Sequence, residues 1–335
     1  MPTFRVLVTD YAWPDLEIER QLLAAIDAEL LVAANGSAAE IIRLSPQTDA
    51  ILTCWAKVPE AALEAAPRCL LVSRYGIGLD NIPVARATAL GILVTNVPDF
   101  CLEEVSDHAM ALLLASARQI VPLAAASRAG RWQRETGQVI PRLRGQTLGL
   151  IGYGNSARAL VPKAAGFGLN ILAYTPRLAA GLLANGVEAV DRLDDLLSRA
   201  DYISIHAPLT DETRGLIDEA ALRRMKPNAV LINTSRGAIV EETALLRALT
   251  EGWIAGACLD VLAQEPPAAD QPLLALPNVI VTPHAAFYSQ ASIAELQRKA
   301  AANVADVLQG RRPQHIVNRE VLGQANCRAQ INQTD

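Results

Sequence analysis

The sequence predicts an α/β protein of two Rossmann-like or flavodoxin-like domains, each built on a parallel sheet, with a cleft between them. Two observations predict it. Short, near-continuous apolar runs alternate with helical stretches through the first hundred residues, and a second series of the same kind starts at Gln146. Strands buried on both faces read as unbroken apolar runs, and the helices between them supply the crossovers of a parallel sheet. At 335 residues the chain is long for one core and comfortable for two. No low-complexity linker separates the two series, so the domains are expected to pack, and a cleft between packed domains is a usual place for ligands.

In the first series the candidate strands are residues 5–9, 30–33, 50–53, 69–73 and 92–95, with helical patterns such as 16–27 and 59–65 between them. A long helix is expected over 102–119, with Glu103 and Glu104 in its first turn, where they favour the dipole. The polar stretch 127–145 reads as a surface excursion. Strands of the second series fall at 147–151, 170–174, 202–206, 229–233, 255–259 and 279–282. A long amphipathic helix spans 290–308, and the polar tail beyond Asn318 reads as loose.

Composition narrows the function classes. With 51% hydrophobic and 19% charged residues, the chain is not disordered. The formal net charge is -5 and no block of basic residues occurs, so neither nucleic acid nor a membrane surface is an expected partner. The five cysteines (Cys54, Cys69, Cys101, Cys258, Cys327) are scattered and never spaced as CxxC. That disfavours a disulfide framework and a metal site, and favours a reducing, cytoplasmic setting. The N-terminus reads directly as a strand rather than a signal peptide, and no apolar run reaches the length of a membrane span.

Directly after the strand 147–151 stands Gly152-Tyr153-Gly154-Asn155-Ser156-Ala157, followed by a helix-compatible run. This is GxGxxA in strand–turn–helix context. The first Gly permits the tight turn, the second lets backbone approach a pyrophosphate, and the third small residue packs helix on strand. The helix N-terminus supplies unpaired N–H groups for the anion. The alternative reading is a set of ordinary turn glycines in a crowded sheet. At the end of the next strand a carboxylate usually meets the ribose of NAD. Here the chain reads Ala173-Tyr174-Thr175-Pro176-Arg177. Thr175 is neutral and Arg177 could face a 2′-phosphate, which raises NADP against NAD without deciding between them. Arg177 as a solvated loop charge is the competing reading.

Three ionisable residues follow three further strands: Arg236 in Asn233-Thr234-Ser235-Arg236-Gly237, Glu265 in Asp260-Val261-Leu262-Ala263-Gln264-Glu265, and His284 in Thr282-Pro283-His284-Ala285-Ala286. Ligands of open α/β sheets bind outside the carboxyl ends of the strands. Reduction of a 2-keto acid needs a forked cation for the carboxylate and ketone, a proton donor for the forming alkoxide, and a carboxylate that favours the imidazolium. Arg, His and Glu fit those tasks in that order.

These segments resemble the D-isomer-specific 2-hydroxyacid dehydrogenase family. So do His206-Ala207-Pro208-Leu209-Thr210 and Arg74-Tyr75-Gly76-Ile77-Gly78-Leu79-Asp80-Asn81, and the similarity covers nearly the whole chain in matching order. Asn96-Val97-Pro98-Asp99-Phe100 and His284-Ala285-Ala286-Phe287-Tyr288-Ser289 look most like the C-terminal-binding-protein branch. The resemblance implies a nicotinamide-dependent oxidoreductase acting on a 2-keto or D-2-hydroxy acid, with Arg236 for substrate, Glu265 as partner of the histidine and His284 as acid/base. It implies cofactor contacts at Gly152, Tyr153, Gly154, Asn155, Ser156, Ala157, Thr175, Arg177, His206, Ala207, Pro208, Thr213, Thr234, Ser235, Arg236, Asp260, His284 and Ala286, with Asp260 on the carboxamide. It implies substrate contacts at Tyr75, Gly76, Ile77, Gly78, Arg236 and Phe287, where Tyr75 to Gly78 would offer backbone N–H groups. Residues 1–101 with 288–335 would form a discontinuous substrate domain and 102–287 the dinucleotide domain, joined in a homodimer. Thr175, Asn155, Ser156 and Phe287 depart from the family pattern and put cofactor contacts and one pocket wall in doubt. Two other readings share these residues: a dinucleotide-sensing corepressor without turnover, and a phosphite-type dehydrogenase.

Overall fold

The apolar runs of the first series form the strands β1 (Phe4–Val8), β2 (Ala28–Val32), β3 (Ala50–Thr53), β4 (Leu71–Arg74) and β5 (Leu93–Thr95), separated by the helices α1 (Glu17–Ala24), α2 (Ala38–Leu44), α3 (Glu60–Glu64) and α4 (Val84–Ala89). All pairings are parallel and the order is β2-β1-β3-β4-β5, the flavodoxin-like arrangement. The computed structural model describes residues 2–132 and 140–331, and divides the chain into Met1–Phe100 with Ser289–Asp335, and Cys101–Tyr288.

The first unit is completed by the helix Gln290–Leu308, which packs on α1 and β4. A reciprocal cap starts it: the Ser292 N–H donates to Ser289 Oγ at 2.9 Å, and the Ser289 N–H donates to Ser292 Oγ at 2.9 Å. Leu7, Ile51, Val72 and Val94 build the core on one face of this sheet, against Ile41, Leu63 and Ala87 of the helices. The tail expected to be loose is instead docked. Arg328 donates from its backbone to Gly91 O at 2.9 Å and from Nη1 to Ala66 O at 2.7 Å, while Val321 and Ala329 are buried. Two apolar anchors and one guanidinium on carbonyls outweigh the polar composition that suggested looseness.

The second unit contains α5 (Leu102–Ala117), α6 (Ile120–Arg128), β6 (Thr147–Ile151), α7 (Asn155–Gly166), β7 (Asn170–Tyr174), β8 (Gly181–Leu182), β9 (Glu188–Val190), α8 (Leu193–Arg199), β10 (Tyr202–Ile205), α9 (Glu219–Arg224), β11 (Val230–Asn233), α10 (Glu242–Thr250), β12 (Gly256–Leu259) and β13 (Val279–Val281). Its sheet runs β13-β12-β11-β10-β6-β7-β9-β8. From β9 through β12 this is the doubly wound dinucleotide order, with its switch point between β6 and β10. One pair departs from the expected parallel sheet: β8 and β9 are antiparallel. Both are short, and the exposed Gly181–Leu182 has no apolar run to announce it.

The helix expected over 102–119 stops at Ala117. Gln119 takes a left-handed backbone (φ 52°), and α6 leaves at 62°. Residues 127 and 128 of the expected surface excursion therefore belong to α6, and 133–139 lie outside the described residues. Among the described residues no single helix is long and apolar enough to cross a membrane. All five cysteines are unbonded thiols, and burial pushes Cys54, Cys69 and Cys258 up to about 12.

Candidate active site

The register of the second sheet decides which residues meet. Tyr174 pairs with Ile151, Ile151 with Ile205, Ile205 with Asn233, Asn233 with Leu259, and Leu259 with Val281. Six strands thus end on one row. The next residue on each is Thr175, Gly152, His206, Thr234, Asp260 and Thr282, so five of the six were singled out as site residues by sequence. Thr282 was not.

At the middle of the row Gly152 turns with φ +91°, and a Cβ there would lie 2.7 Å from Ala207 N and 2.8 Å from His206 C. No side chain fits, which holds β6 close to the chain leaving β10. Gly154 starts α7 with open space around the position a Cβ would take. Ala157 is fully buried. The N-terminal amides of a three-turn helix thus face an unfilled approach, as a pyrophosphate requires. Tyr153 is steadied by the Asn185 Nδ2–H at 2.7 Å and by the Arg158 guanidinium 5.3 Å from its ring centre.

On one side of this turn, Thr175 is half-buried and Arg177 is exposed, and among the described residues Arg177 makes no ion pair. On the other, Thr213 Oγ1 donates to Pro208 O at 2.6 Å and accepts from the Thr210 N–H at 2.8 Å, fixing the loop after β10. The Ser235 hydroxyl donates to Ala207 O and binds that loop to the one after β11. Thr234 Oγ1 is buried without a partner, an acceptor and donor aimed where the protein offers it nothing. These residues fit a bound dinucleotide.

His206 lies on the row but is unsuited to proton transfer near neutrality. Desolvation pushes its imidazole down to about 4, and its Nε2 sits 2.9 Å from Ser204 Oγ.

Arg236, Glu265 and His284 follow the adjacent strands β11, β12 and β13. Asn233, fully buried, shapes the first turn: its Nδ2 donates to Arg236 O at 2.9 Å and its Oδ1 accepts from the Ser235 N–H at 3.0 Å. Gly237 closes it against the next loop, where a Cβ would come within 1.9 Å of the Leu262 carbonyl carbon. The Arg236 guanidinium donates to Ser235 O at 2.8 Å.

Glu265 Oε2 stands 2.6 Å from His284 Nδ1, and its Oε1 accepts from the Leu262 N–H at 2.9 Å. Burial pushes the Glu265 carboxyl up, but the hydrogen bond and charge of His284, the Leu262 amide and the Arg236 charge hold it below its ordinary 4.5. The carboxylate is therefore an acceptor, Nδ1 is the donor, and Nε2 is the ring position that gains or loses the proton.

His284 itself has a left-handed backbone, φ 52°. Asp260 holds it there. The Asp260 carboxylate is 1% exposed; Oδ1 accepts from Thr282 Oγ1 at 2.6 Å and from the Ala285 N–H at 2.9 Å, and Oδ2 accepts from the Ala286 N–H at 2.9 Å. One acceptor position on Oδ2 remains for a ligand. Since Thr282 gives its only hydroxyl proton to Asp260, His108 Nε2, 2.9 Å from Thr282 Oγ1, must be the donor in that contact. Neither His108 nor Thr282 was assigned to the site from the sequence. A threonine beside an apolar strand end and a lone helical histidine carry no motif. The Phe287 ring stands edge-on to His284, centroids 6.2 Å apart.

The remaining expected residues belong to the first unit, at the end of β4. Tyr75 turns inward and is 2% exposed, so its side chain is not a wall. The amides of Tyr75 and Gly76 are engaged by Thr53 O and Arg74 O, whereas those of Ile77 and Gly78 make no hydrogen bond among the described residues.

The chain is similar to known proteins in sequence and in fold. Residues 110–286 match the D-isomer specific 2-hydroxyacid dehydrogenase, NAD binding domain. The chain is 43% identical over 263 residues to a glyoxylate reductase of Korarchaeum cryptofilum, covering 77% of this chain and 79% of that one. It superposes on an NADPH-dependent glyoxylate/hydroxypyruvate reductase of Sinorhizobium meliloti, solved with NADP and malonate, with a TM-score of 0.84 at 30% identity and 98% coverage of both chains. A D-lactate dehydrogenase of Aquifex aeolicus, solved with NAD and lactic acid, gives 0.83 at 27% identity, covering 91% of this chain and 96% of that one. By its matched domain and its relatives, the chain belongs to the D-isomer specific 2-hydroxyacid dehydrogenase family of NAD(P)-dependent enzymes.

Proposed function

We propose that this protein reduces a small 2-keto acid of the glyoxylate or hydroxypyruvate type to the 2-hydroxy acid, of D configuration where the product is chiral. The observation that supports it best is the Glu265–His284 pair at 2.6 Å, on a strand end adjacent to that of Arg236. The nicotinamide, when bound, supplies the hydride. The chain does the rest. Arg236 binds the substrate and polarises its ketone. In the first unit, the Ile77 and Gly78 amides are offered to a substrate carboxylate. His284 Nε2 gives the proton to the forming alkoxide, and takes it back in the oxidative direction. Glu265 fixes the ring orientation through Nδ1.

The dinucleotide lies on the second unit, with its pyrophosphate at the α7 N-terminus and Thr234 Oγ1 as a further contact. We assign the remaining acceptor position of Asp260 to the carboxamide. The cytoplasm is the proposed site of action, in keeping with five free thiols. A homodimer joined through the second unit is the proposed assembly, because α6 buries none of its residues, exposes its own Ile120 and Val121, and is followed by Trp132, 89% exposed. No nucleic acid partner is proposed.

Assays of NADH and NADPH oxidation with glyoxylate, hydroxypyruvate and bulkier 2-keto acids test the activity. Turnover is expected with the small acids, and none with any acid despite cofactor binding would overturn the proposal. His284→Ala should lower kcat by about 10²–10⁴-fold. The sign of the Glu265 effect follows from its low pKa. Its charge is complete above the ordinary 4.5 and is lost only as pH falls through the folded value, so it is anionic wherever an imidazole titrates. Glu265→Gln should therefore lower kcat about tenfold across the neutral range with KM little changed; an unmoved kcat would exclude the pairing role.

Arg177→Ala should weaken NADPH by about tenfold and leave NADH nearly unchanged, as expected for one lost charge-assisted phosphate contact. Equal effects on both cofactors would assign Arg177 to solvent. Light scattering should give about twice the 35.8 kDa of one chain, and a single-chain mass would exclude the homodimer.

A further inference from the structure

The first unit buries one carboxyl group that the proposed chemistry does not use. Glu19, on α1, is 0% exposed. Its Oε1 accepts from the Tyr75 hydroxyl at 2.9 Å, and its Oε2 accepts from Gln297 Nε2 at 3.0 Å. Gln297 also donates to Asp15 O at 3.2 Å. Among the described residues no lysine, arginine or histidine pairs with Glu19, so a phenol and an amide are its side-chain partners. Burial pushes its carboxyl above the ordinary range despite these bonds. A leucine or methionine would fill the same volume without that desolvation cost. Packing alone therefore does not account for a carboxyl here.

What the carboxyl holds is the root of the turn after β4. Tyr75 is anchored on every side. Its N–H donates to Thr53 O at 2.8 Å, its carbonyl accepts from Arg74 Nη1, its ring meets Trp13 edge-on at 4.8 Å, and its hydroxyl ends on Glu19. The chain then reverses through Gly76 at φ +141°, a conformation that favours glycine, with the Arg74 guanidinium 3.1 Å from where a Cβ would sit. The next two amides, Ile77 and Gly78, are the ones without partners. Two consecutive amides bind a carboxylate only if their placement is right to about 0.5 Å. Beyond Tyr75, the Val97 N–H donates to Gly76 O at 3.0 Å and Asn96 Nδ2 to Ile77 O at 2.9 Å, so the turn is held at both ends and Tyr75 is its near anchor.

We infer that Glu19 is a positioning residue for substrate, setting the aim of the Ile77 and Gly78 amides through the Tyr75 hydroxyl. The inference rests on the proposal that this turn receives the carboxylate of a 2-keto acid. Loss of the anchor weakens ground-state and transition-state binding alike, so the effect falls on KM rather than kcat. It also predicts a separation between stability and affinity. Removing one partner orphans the other, whereas removing both is nearly neutral for folding.

The test uses the full chain with NADPH bound and oxamate, an unreactive planar isostere of a 2-keto acid, titrated by calorimetry. Glyoxylate kinetics and thermal unfolding accompany it. Glu19→Leu should raise the oxamate Kd and the glyoxylate KM about tenfold, or about 1.4 kcal/mol, with the NADPH Kd unchanged. Glu19→Gln, which keeps an acceptor for the hydroxyl, should recover to within about threefold, or about 0.6 kcal/mol. The double variant Glu19→Leu, Tyr75→Phe should regain the part of thermal stability lost at the orphaned hydroxyl, Gln297 keeping its bond to Asp15 O, but keep the weak oxamate binding. It carries the same comparison if Glu19→Leu alone fails to fold. An unchanged oxamate Kd, recovery of affinity together with stability in the double variant, or absence of oxamate binding by the parent protein would each overturn the inference. A parent protein that binds oxamate but reduces no keto acid defeats the proposed activity instead, and the variants' Kd values still decide the role of Glu19.

Discussion

A single buried carboxylate, Asp260, holds the turn on which the proposed chemistry depends. A left-handed backbone at a non-glycine residue costs about 1–2 kcal/mol, and His284 adopts one. Hydrogen bonds to a charged acceptor contribute about 1.5–3 kcal/mol each, and Asp260 accepts two from the backbone of that turn, at Ala285 and Ala286. A third, from Thr282, is itself met by His108. The balance favours the turn, and the turn carries the imidazole to Glu265. An apolar residue at 260 would leave the Ala285 and Ala286 amides and the left-handed φ without compensation.

The same logic extends along the row of strand ends. Parallel pairing in register brings six chain exits to one level. Ser235 ties its exit to Ala207, Asp260 ties its own to the residues after β13, and Asn233 shapes its own turn through Arg236. Gly152 and Gly237 allow approaches too close for any side chain. Charge is kept at the end of the row where proton transfer is proposed. His206, in the middle, is left neutral by desolvation, which separates the two histidines by environment rather than by residue type.

Much of this was legible in the sequence because strands buried on both faces must be apolar throughout, so an ionisable residue just past such a strand is conspicuous. Arg236, Glu265 and His284 stood out in that way. Their partners did not. Asp260 was assigned a ligand, yet most of its bonding capacity goes to the turn; Thr282 and His108 have no spacing that marks them. The tail was misjudged because a polar segment can be docked by a few buried groups, here Val321, Ala329 and the Arg328 guanidinium. Tyr75 was counted among the substrate contacts, yet its side chain turns inward and its amide is engaged, because direction after a strand is set by burial partners, here Glu19 and Trp13, that lie far away in sequence. The short edge strands β8 and β9 were missed for want of any apolar run.

The most direct measurement is a double-mutant cycle on kcat for keto-acid reduction with Asp260→Asn and His284→Ala, each variant checked for retained fold. If Asp260 acts by holding His284, Asp260→Asn alone lowers kcat on the order of 10²-fold, and adding it to His284→Ala causes no further loss. Losses that multiply in the double variant would show that the two residues act independently, and would contradict the holding role of Asp260.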